Sequence, residues 1–380
     1  MKLLGAGVAA ATSVLAFSAI FTSLLSNDFT EAEKLKLAVR WLEKGRWDLA
    51  DGLAQELESS IAPETNSTWN YVKGVSQLRR IIDDLDSYQN RIVLIDVTKR
   101  LEKSRELGFP LGYGGKGSYY LGVCQYNTYR WEAAIESLNR CLTEFPEVRS
   151  DCMRMIISAH LRKTPPNPDQ ARLVLEQWLQ MPGLSPREIA HSNIAQAQLA
   201  LHSGSLKDCN DWISKIPPGI PEQYEGLKWK SLCLISESAQ DNHDSTESST
   251  YLDEAQRILQ RLIVASDTPM QIRRQAFYLS GKVLRYLGKY QKAVSVLSAV
   301  RQQNPFSAEA IAAGLEEAEI LMDLGRPNEV IASTRQLLHG ISDIRLFNEY
   351  WISEDELRTR LTDLGNRLRL NEHYEQALAL

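Results

Sequence analysis

The chain lacks the compositional features that mark several specialised classes of protein. Its 380 residues include only 5 cysteines, 21 glycines and 14 prolines. These counts exclude a disulfide-stapled scaffold, a collagen-like chain and a low-complexity sequence. Basic residues are not in excess either, since the formal net charge is −5. We therefore expect no nucleic acid among the partners, because nucleic-acid-binding domains usually present a basic surface.

Motifs that support catalysis or metal binding are also missing from the sequence. It contains no His-Glu-x-x-His or Cys-x-x-Cys motif, no nucleophile elbow and no Ser-His-Asp pattern. The glycine-rich segment 112–118 resembles a phosphate-binding loop, but Gly117 stands where such a loop needs Ser or Thr, and Pro110 where it needs Gly. The sequence therefore predicts no enzymatic activity, no cofactor, no bound metal and no small-molecule substrate.

The N-terminus carries a long uncharged run, from Leu3 to Leu25. As a helix it extends about 34 Å, which is enough to cross a bilayer core of about 30 Å. Lys2 precedes the run and acidic residues follow it, an order that places the remainder outside the cytoplasm. This pattern predicts a signal anchor over residues 1–27, membrane contact through residues 3–25 and an extracytoplasmic, periplasmic-side array. Secretion after cleavage at Ala16-Phe17-Ser18 is the alternative.

From residue 30 onward the sequence predicts helices in a repeating pattern. A small residue is followed by an aromatic residue 9 positions later, another small residue 12 positions later and a proline 24 positions later. The full pattern occurs twice, as Gly122, Trp131, Ala134 and Pro146, and as Gly281, Tyr290, Ala293 and Pro305. Partial copies begin at Ala38 and Gly365. Small residues at these positions let two helices of a hairpin approach closely, and the proline ends the second helix.

This pattern resembles the tetratricopeptide repeat, a helix-turn-helix unit. The resemblance implies an all-α fold, a right-handed superhelical solenoid of about nine helix pairs over residues 30–380, preceded by the transmembrane helix. Its last repeat is incomplete, because the sequence given ends at Leu380 within the second helix of that unit. A polar insert at 239–250 is predicted to be a surface loop.

The resemblance also implies a binding surface on the inner side of the first helices. In this family, residues near the small position of the first helix point into a concave groove that binds proteins or peptides. The corresponding residues here are Tyr119, Val123, Tyr126, Tyr278, Lys282 and Arg285. Exposed Tyr and Arg are frequent anchors of protein contacts. Packing against the neighbouring unit is the alternative role for Tyr119 and Tyr126.

Two functions follow as expectations. The first is a non-enzymatic, membrane-anchored scaffold that binds partner proteins or peptides in its groove. The alternative is the regulatory or docking arm of a longer polypeptide with an enzymatic domain beyond residue 380.

Cys141 and Cys209 stand at small apolar positions of their units and are interpreted as helix-packing residues. A bridge from Cys141 to Cys152 in an oxidising compartment is the alternative for that pair.

Overall fold

The computed structural model describes residues 29–85, 88–239, 245–341 and 347–379. Within these ranges the secondary structure is helical, with no β-strand. The α-helices are α1 (Glu31–Glu43), α2 (Trp47–Glu56), α3 (Asn66–Ile81), α4 (Tyr88–Glu106), α5 (Gly114–Asn127), α6 (Trp131–Glu144), α7 (Arg149–Arg162), α8 (Pro168–Leu179), α9 (Pro186–His202), α10 (Leu206–Ser214), α11 (Glu222–Ser238), α12 (Ser245–Val264), α13 (Met270–Tyr286), α14 (Tyr290–Gln303), α15 (Ala308–Asp323), α16 (Pro327–Gly340), α17 (Glu354–Leu370) and α18 (Tyr374–Ala379). In the described part of the chain they form nine consecutive pairs, each an odd-numbered first helix and an even-numbered second helix.

Local signals in the sequence set where the helices begin. Thr30 caps α1, since its side chain accepts a hydrogen bond from the backbone N–H of Glu33 while the Glu33 carboxylate accepts one from the backbone N–H of Thr30. Ser185 and Glu188 form the same reciprocal box at the start of α9. These caps satisfy backbone donors that have no partner inside the helix.

The turns inside the pairs also follow from the sequence. In four pairs the residue two positions before the second helix is a glycine with positive φ, between 66° and 71°, at Gly45, Gly204, Gly288 and Gly325. Glycine adopts this conformation without the steric cost that a side chain adds. The third and ninth pairs differ, because Tyr129 with φ 61° and Glu372 with φ 63° hold the same position.

Within each pair, the small residues of the repeat allow the two helices to pack closely. A Cβ atom added at Gly281 lies 2.6 Å from Leu297 Cδ2, and one added at Gly122 lies 2.7 Å from Leu138 Cδ2. Ala134 and Ala293 on the second helices are fully buried. These contacts agree with the role that the repeat assigns to its small positions.

Each pair packs on the next, so the apolar core continues along the array. Second helices contact the following first helix, as α14 does α15, and successive first helices contact each other, as α9 does α11. One apolar cluster extends from Leu234 to Leu368, and another from Leu35 to Cys124. This arrangement is the repeat solenoid expected from the sequence.

The membrane predictions are corrected. Residues 3–25, on which they depend, lie outside the described residues. In the part of the chain that the structure describes, no helix combines the length and the apolar character needed to cross a bilayer. Every described helix carries at least one charged residue, as expected for an array with polar outer faces. As a correction, no described helix supports the predicted single-pass anchor with an extracytoplasmic array.

Two smaller expectations also change. The insert at 239–250 is not a loop throughout, because α12 begins at Ser245; residues 240–244 lie outside the described residues. Cys209 does more than pack, since it forms a disulfide with Cys233 that links α10 to α11. The sequence separation of 24 residues gave no sign of this pairing, which depends on how the two helices meet.

Candidate functional site

The inner side of the array encloses a cavity of about 370 Å³. Most of its lining residues come from five successive first helices, α5, α7, α9, α11 and α13. Among the described lining residues, Trp131 is the one that belongs to a second helix. The first helices therefore form the concave face, and we call the surface that they line the groove.

Aromatic and apolar side chains from α5 form one wall of the groove. Tyr119, Val123 and Tyr126 all line the cavity. The Tyr126 hydroxyl lies 2.7 Å from Ser158 Oγ, and its ring packs edge-on against Trp131 with centroids 5.4 Å apart. Burial, with Asp151 nearby, raises the pKa of Tyr119 to about 12. The structure thus brings together three of the residues predicted for the groove.

Charged side chains from α7 and α11 form the opposite wall. It carries three cations, Arg154, Arg162 and Lys228, and two carboxylates, Asp151 and Glu225. Lys228 is only 3% exposed. Burial raises the pKa of Glu225, but Lys228 and Arg154 outweigh it and hold that pKa below its ordinary value. The wall therefore keeps its carboxylate ionised and has a slight excess of positive charge.

His191 of α9 lies between these charges, and its pKa is lowered. Burial lowers its pKa, and the neighbouring Arg154 lowers it further, against the opposing effect of Glu225. A neutral imidazole in this position offers one hydrogen-bond donor and one acceptor without adding charge.

Two buried polar atoms in the groove have no hydrogen-bond partner. Gln275 on α13 is 2% exposed, and its Oε1 is unpaired; Arg154 Nε is the second such atom. Both residues line the cavity. A buried polar atom without a partner costs free energy, on the order of 1–3 kcal/mol. A ligand that supplies a donor to Gln275 and an acceptor to Arg154 recovers that cost.

A second cavity, of about 550 Å³, adjoins the first along the same face. It shares Asp151, Arg154, His191 and Glu225 with the first cavity and continues across α7, α9, α11 and α13. Its other lining residues lie at the N-terminal ends of these helices, so the second cavity widens the groove along the helix axes.

The other three predicted residues do not line the cavity. Tyr278 is buried beneath Trp351, with ring centroids 5.0 Å apart. Lys282 Nζ lies 5.9 Å from the Tyr286 ring centroid. Arg285 forms ion pairs with Glu316 and Glu319 of α15, so its guanidinium is used to join α13 to the next first helix.

The groove residues that the sequence did not predict lie mostly in units where the repeat pattern is weak. They are Asp151, Arg154 and Arg162 on α7, His191 on α9, Glu225 and Lys228 on α11, and Gln275 on α13. On α7 the signal that identifies them is a stripe of polar residues at spacings of three and four, namely Asp151, Arg154, Ser158 and Arg162. In the part of the chain that the structure describes, no group of three His, Cys, Asp or Glu side chains is placed to hold a metal ion.

Comparison with known proteins supports the same architecture. Residues 117–147 and 275–307 match the model of the tetratricopeptide repeat. These are the two units in which the sequence pattern is complete. No curated protein sequence matches the chain.

Two solved structures are similar in fold. The apo form of the quorum sensor NprR from B. thuringiensis aligns with a TM-score of 0.55 at 12% identity, over 87% of this chain and 94% of that one. The apo form of RapI aligns with a TM-score of 0.52 at 13% identity, over 87% of this chain and 92% of that one. At such identities the likeness concerns the fold alone, a solenoid of paired helices.

Proposed function

We propose that the groove binds an extended peptide segment of a partner protein, and that the protein acts as a non-enzymatic interaction scaffold. The observation that carries the proposal is the buried, unpaired carboxamide oxygen of Gln275 on the groove wall. A peptide backbone presents N–H donors at regular intervals, and one of them satisfies this oxygen.

The shape of the groove favours a chain over a compact molecule. Five successive first helices contribute side chains, and two adjoining cavities follow the same face. A ligand that contacts all of these walls extends across several repeats. Aromatic side chains on α5 and paired charges on α7 and α11 give such a chain both apolar and polar contacts, which is the composition typical of protein-recognition surfaces.

Selection of peptides on the purified protein tests this function. A displayed random library is selected against wild type, and the affinities of the peptides obtained are measured on Gln275→Met. Because this substitution removes an unsatisfied buried oxygen, the fold is expected to be as stable as wild type or more so. The peptides are expected to bind the variant about tenfold more weakly, the loss that one hydrogen bond of about 1.4 kcal/mol represents.

Gln302→Met is the matched control, since Gln302 is exposed on the second helix α14. It should leave peptide affinity unchanged. Selection that yields no peptide, or peptides that bind Gln275→Met as tightly as wild type, contradicts the proposal.

A further inference from the structure

Part of the chain itself lies in the groove. Residues Phe347–Ile352, here called the strap, lie shortly before α17 and have no helical structure. At one end Arg91 of α4 donates a hydrogen bond of 3.0 Å to the backbone carbonyl of Phe347, although the two residues are 256 positions apart. At the other end Trp351 Nε1 donates to Glu309 of α15 at 3.0 Å. The strap therefore connects the second helix pair to the eighth across the concave side.

Two aromatic side chains of the strap pack against first helices, Tyr350 in the lining of the cavity and Trp351 outside it. Tyr350 lines the cavity, and the Arg162 guanidinium lies 4.2 Å from its ring centroid. Trp351 packs on Tyr278 with ring centroids 5.0 Å apart. Both contacts are of the kind that an aromatic anchor of a bound peptide makes.

The amide of Asn348 fixes the shape of the strap. Its Oδ1 accepts a hydrogen bond of 3.1 Å from the backbone N–H of Tyr350, and another from the hydroxyl of Tyr129. Asn348 is buried. The first bond forms a turn that presents the two following aromatic residues side by side.

Tyr129 contacts the strap from a costly backbone conformation. Four other pairs place glycine at this turn position, whereas Tyr129 adopts φ 61° with a full side chain. A left-handed conformation costs a residue with a side chain about 1–2 kcal/mol. Glu372 adopts φ 63° at the same position of the ninth pair, so this conformation belongs to the turn of the repeat and not to the strap.

We propose that the strap is an internal ligand of the groove, which a partner peptide of the same chemistry displaces. That chemistry is an asparagine two positions before a pair of adjacent aromatic residues. The inference rests on the proposed function and adds to it both a class of ligand and a means of regulation. The strap is tethered at both ends, so its effective concentration is on the order of millimolar, and a free peptide competes against it.

Competition from the strap lowers the apparent affinity for a free peptide. The apparent affinity equals the intrinsic affinity multiplied by the fraction of molecules in which the groove is open. Replacing Tyr350 and Trp351 by alanine removes the competing side chains and leaves every residue of the helices that line the groove unchanged. The probe is a fluorescently labelled synthetic peptide with the sequence of residues 347–353, and its binding to the full chain is followed by anisotropy. The double variant is expected to bind the peptide at least tenfold more tightly than wild type.

Two controls accompany this measurement. Tyr374→Ala removes an aromatic side chain that is 59% exposed at the end of the array, and it should bind the peptide as wild type does. A peptide with the same residues in scrambled order should bind neither protein. Circular dichroism and thermal melting establish that the double variant is folded.

A second measurement uses wild type alone and does not depend on the folding of the variant. Saturation with the unlabelled peptide should increase hydrogen exchange at the backbone amides of residues 347–352. Unchanged exchange with the peptide bound, or equal affinity for wild type and a folded double variant, overturns the role of the strap while peptide binding by the groove stands. Absence of peptide binding to both proteins overturns the strap as an internal ligand, and the library selection then tests the proposed function separately.

Discussion

Replacing single glycines by alanine tests how closely the helices of a pair pack. Gly281 lies in the middle of α13, and an added Cβ meets Leu297 of α14, with Cδ2 at 2.6 Å and Cγ at 2.7 Å. Gly52 lies within α2, and an added Cβ meets nothing within 4 Å. The two substitutions are chemically identical, so their difference isolates the helix–helix contact.

The magnitudes follow from two opposing effects. Alanine stabilises a helix interior by about 0.5–1 kcal/mol relative to glycine, and this gain is common to both sites. At Gly281 the new methyl group displaces Leu297, and overpacking of a close contact costs about 1–3 kcal/mol. We therefore expect Gly52→Ala to raise the free energy of unfolding by about 0.5–1 kcal/mol. The free energy of unfolding of Gly281→Ala should be about 1–3 kcal/mol lower than that of Gly52→Ala.

Urea unfolding followed by circular dichroism measures both variants against wild type. Pairs in a solenoid contact mainly their neighbours, so hydrogen exchange at the amides of α13 and α14 checks whether the loss is local. Equal stabilisation by the two substitutions refutes the reasoning, because it means that Leu297 moves aside without cost.

Three further outcomes are expected. Replacing Cys209 and Cys233 by serine opens a loop of 24 residues. In the chain-entropy model this should lower the free energy of unfolding by about 3 kcal/mol. An unfolding midpoint equal to that of the oxidised wild type contradicts this expectation. Glu316→Ala removes a carboxylate that is 4% exposed and pairs with two arginines, one on α13 and one on α17. The free energy of unfolding measured in urea should fall by about 3 kcal/mol. A fall of less than about 1 kcal/mol refutes this expectation. Because burial lowers the pKa of His191, the unfolded chain binds the proton more readily, and stability should fall as the pH drops below about 6.5. His191→Gln should show a shallower fall between pH 7.5 and 5, and an unchanged slope argues against this role.

The repeat units themselves could be predicted because their signals are local. The spacing from Gly122 to Trp131 and Ala134 lies within one helix hairpin, and the structure forms that hairpin as α5 and α6. The same holds for Gly281 and its pair. In the units that lack this spacing, the sequence pattern did not identify which residues of the first helix face the groove, and the groove residues on α7, α9 and α11 were therefore missed.

The sequence by itself determined the helical repeat and the close packing at its small positions. Such features depend on residues within about 34 positions of each other, over which periodicity is informative. It also carried an apolar N-terminal run that led to a membrane assignment which the described helices do not support.

Only the tertiary structure decided what fills the concave side. The contact of Arg91 with Phe347, the pairing of Cys209 with Cys233 and the ion pairs of Arg285 join residues of different units. Their positions depend on the small rotation between successive pairs, summed along the array, and no local pattern encodes that sum. For this reason Tyr350, which has no place in the repeat pattern, lies beside Arg162 on the groove wall.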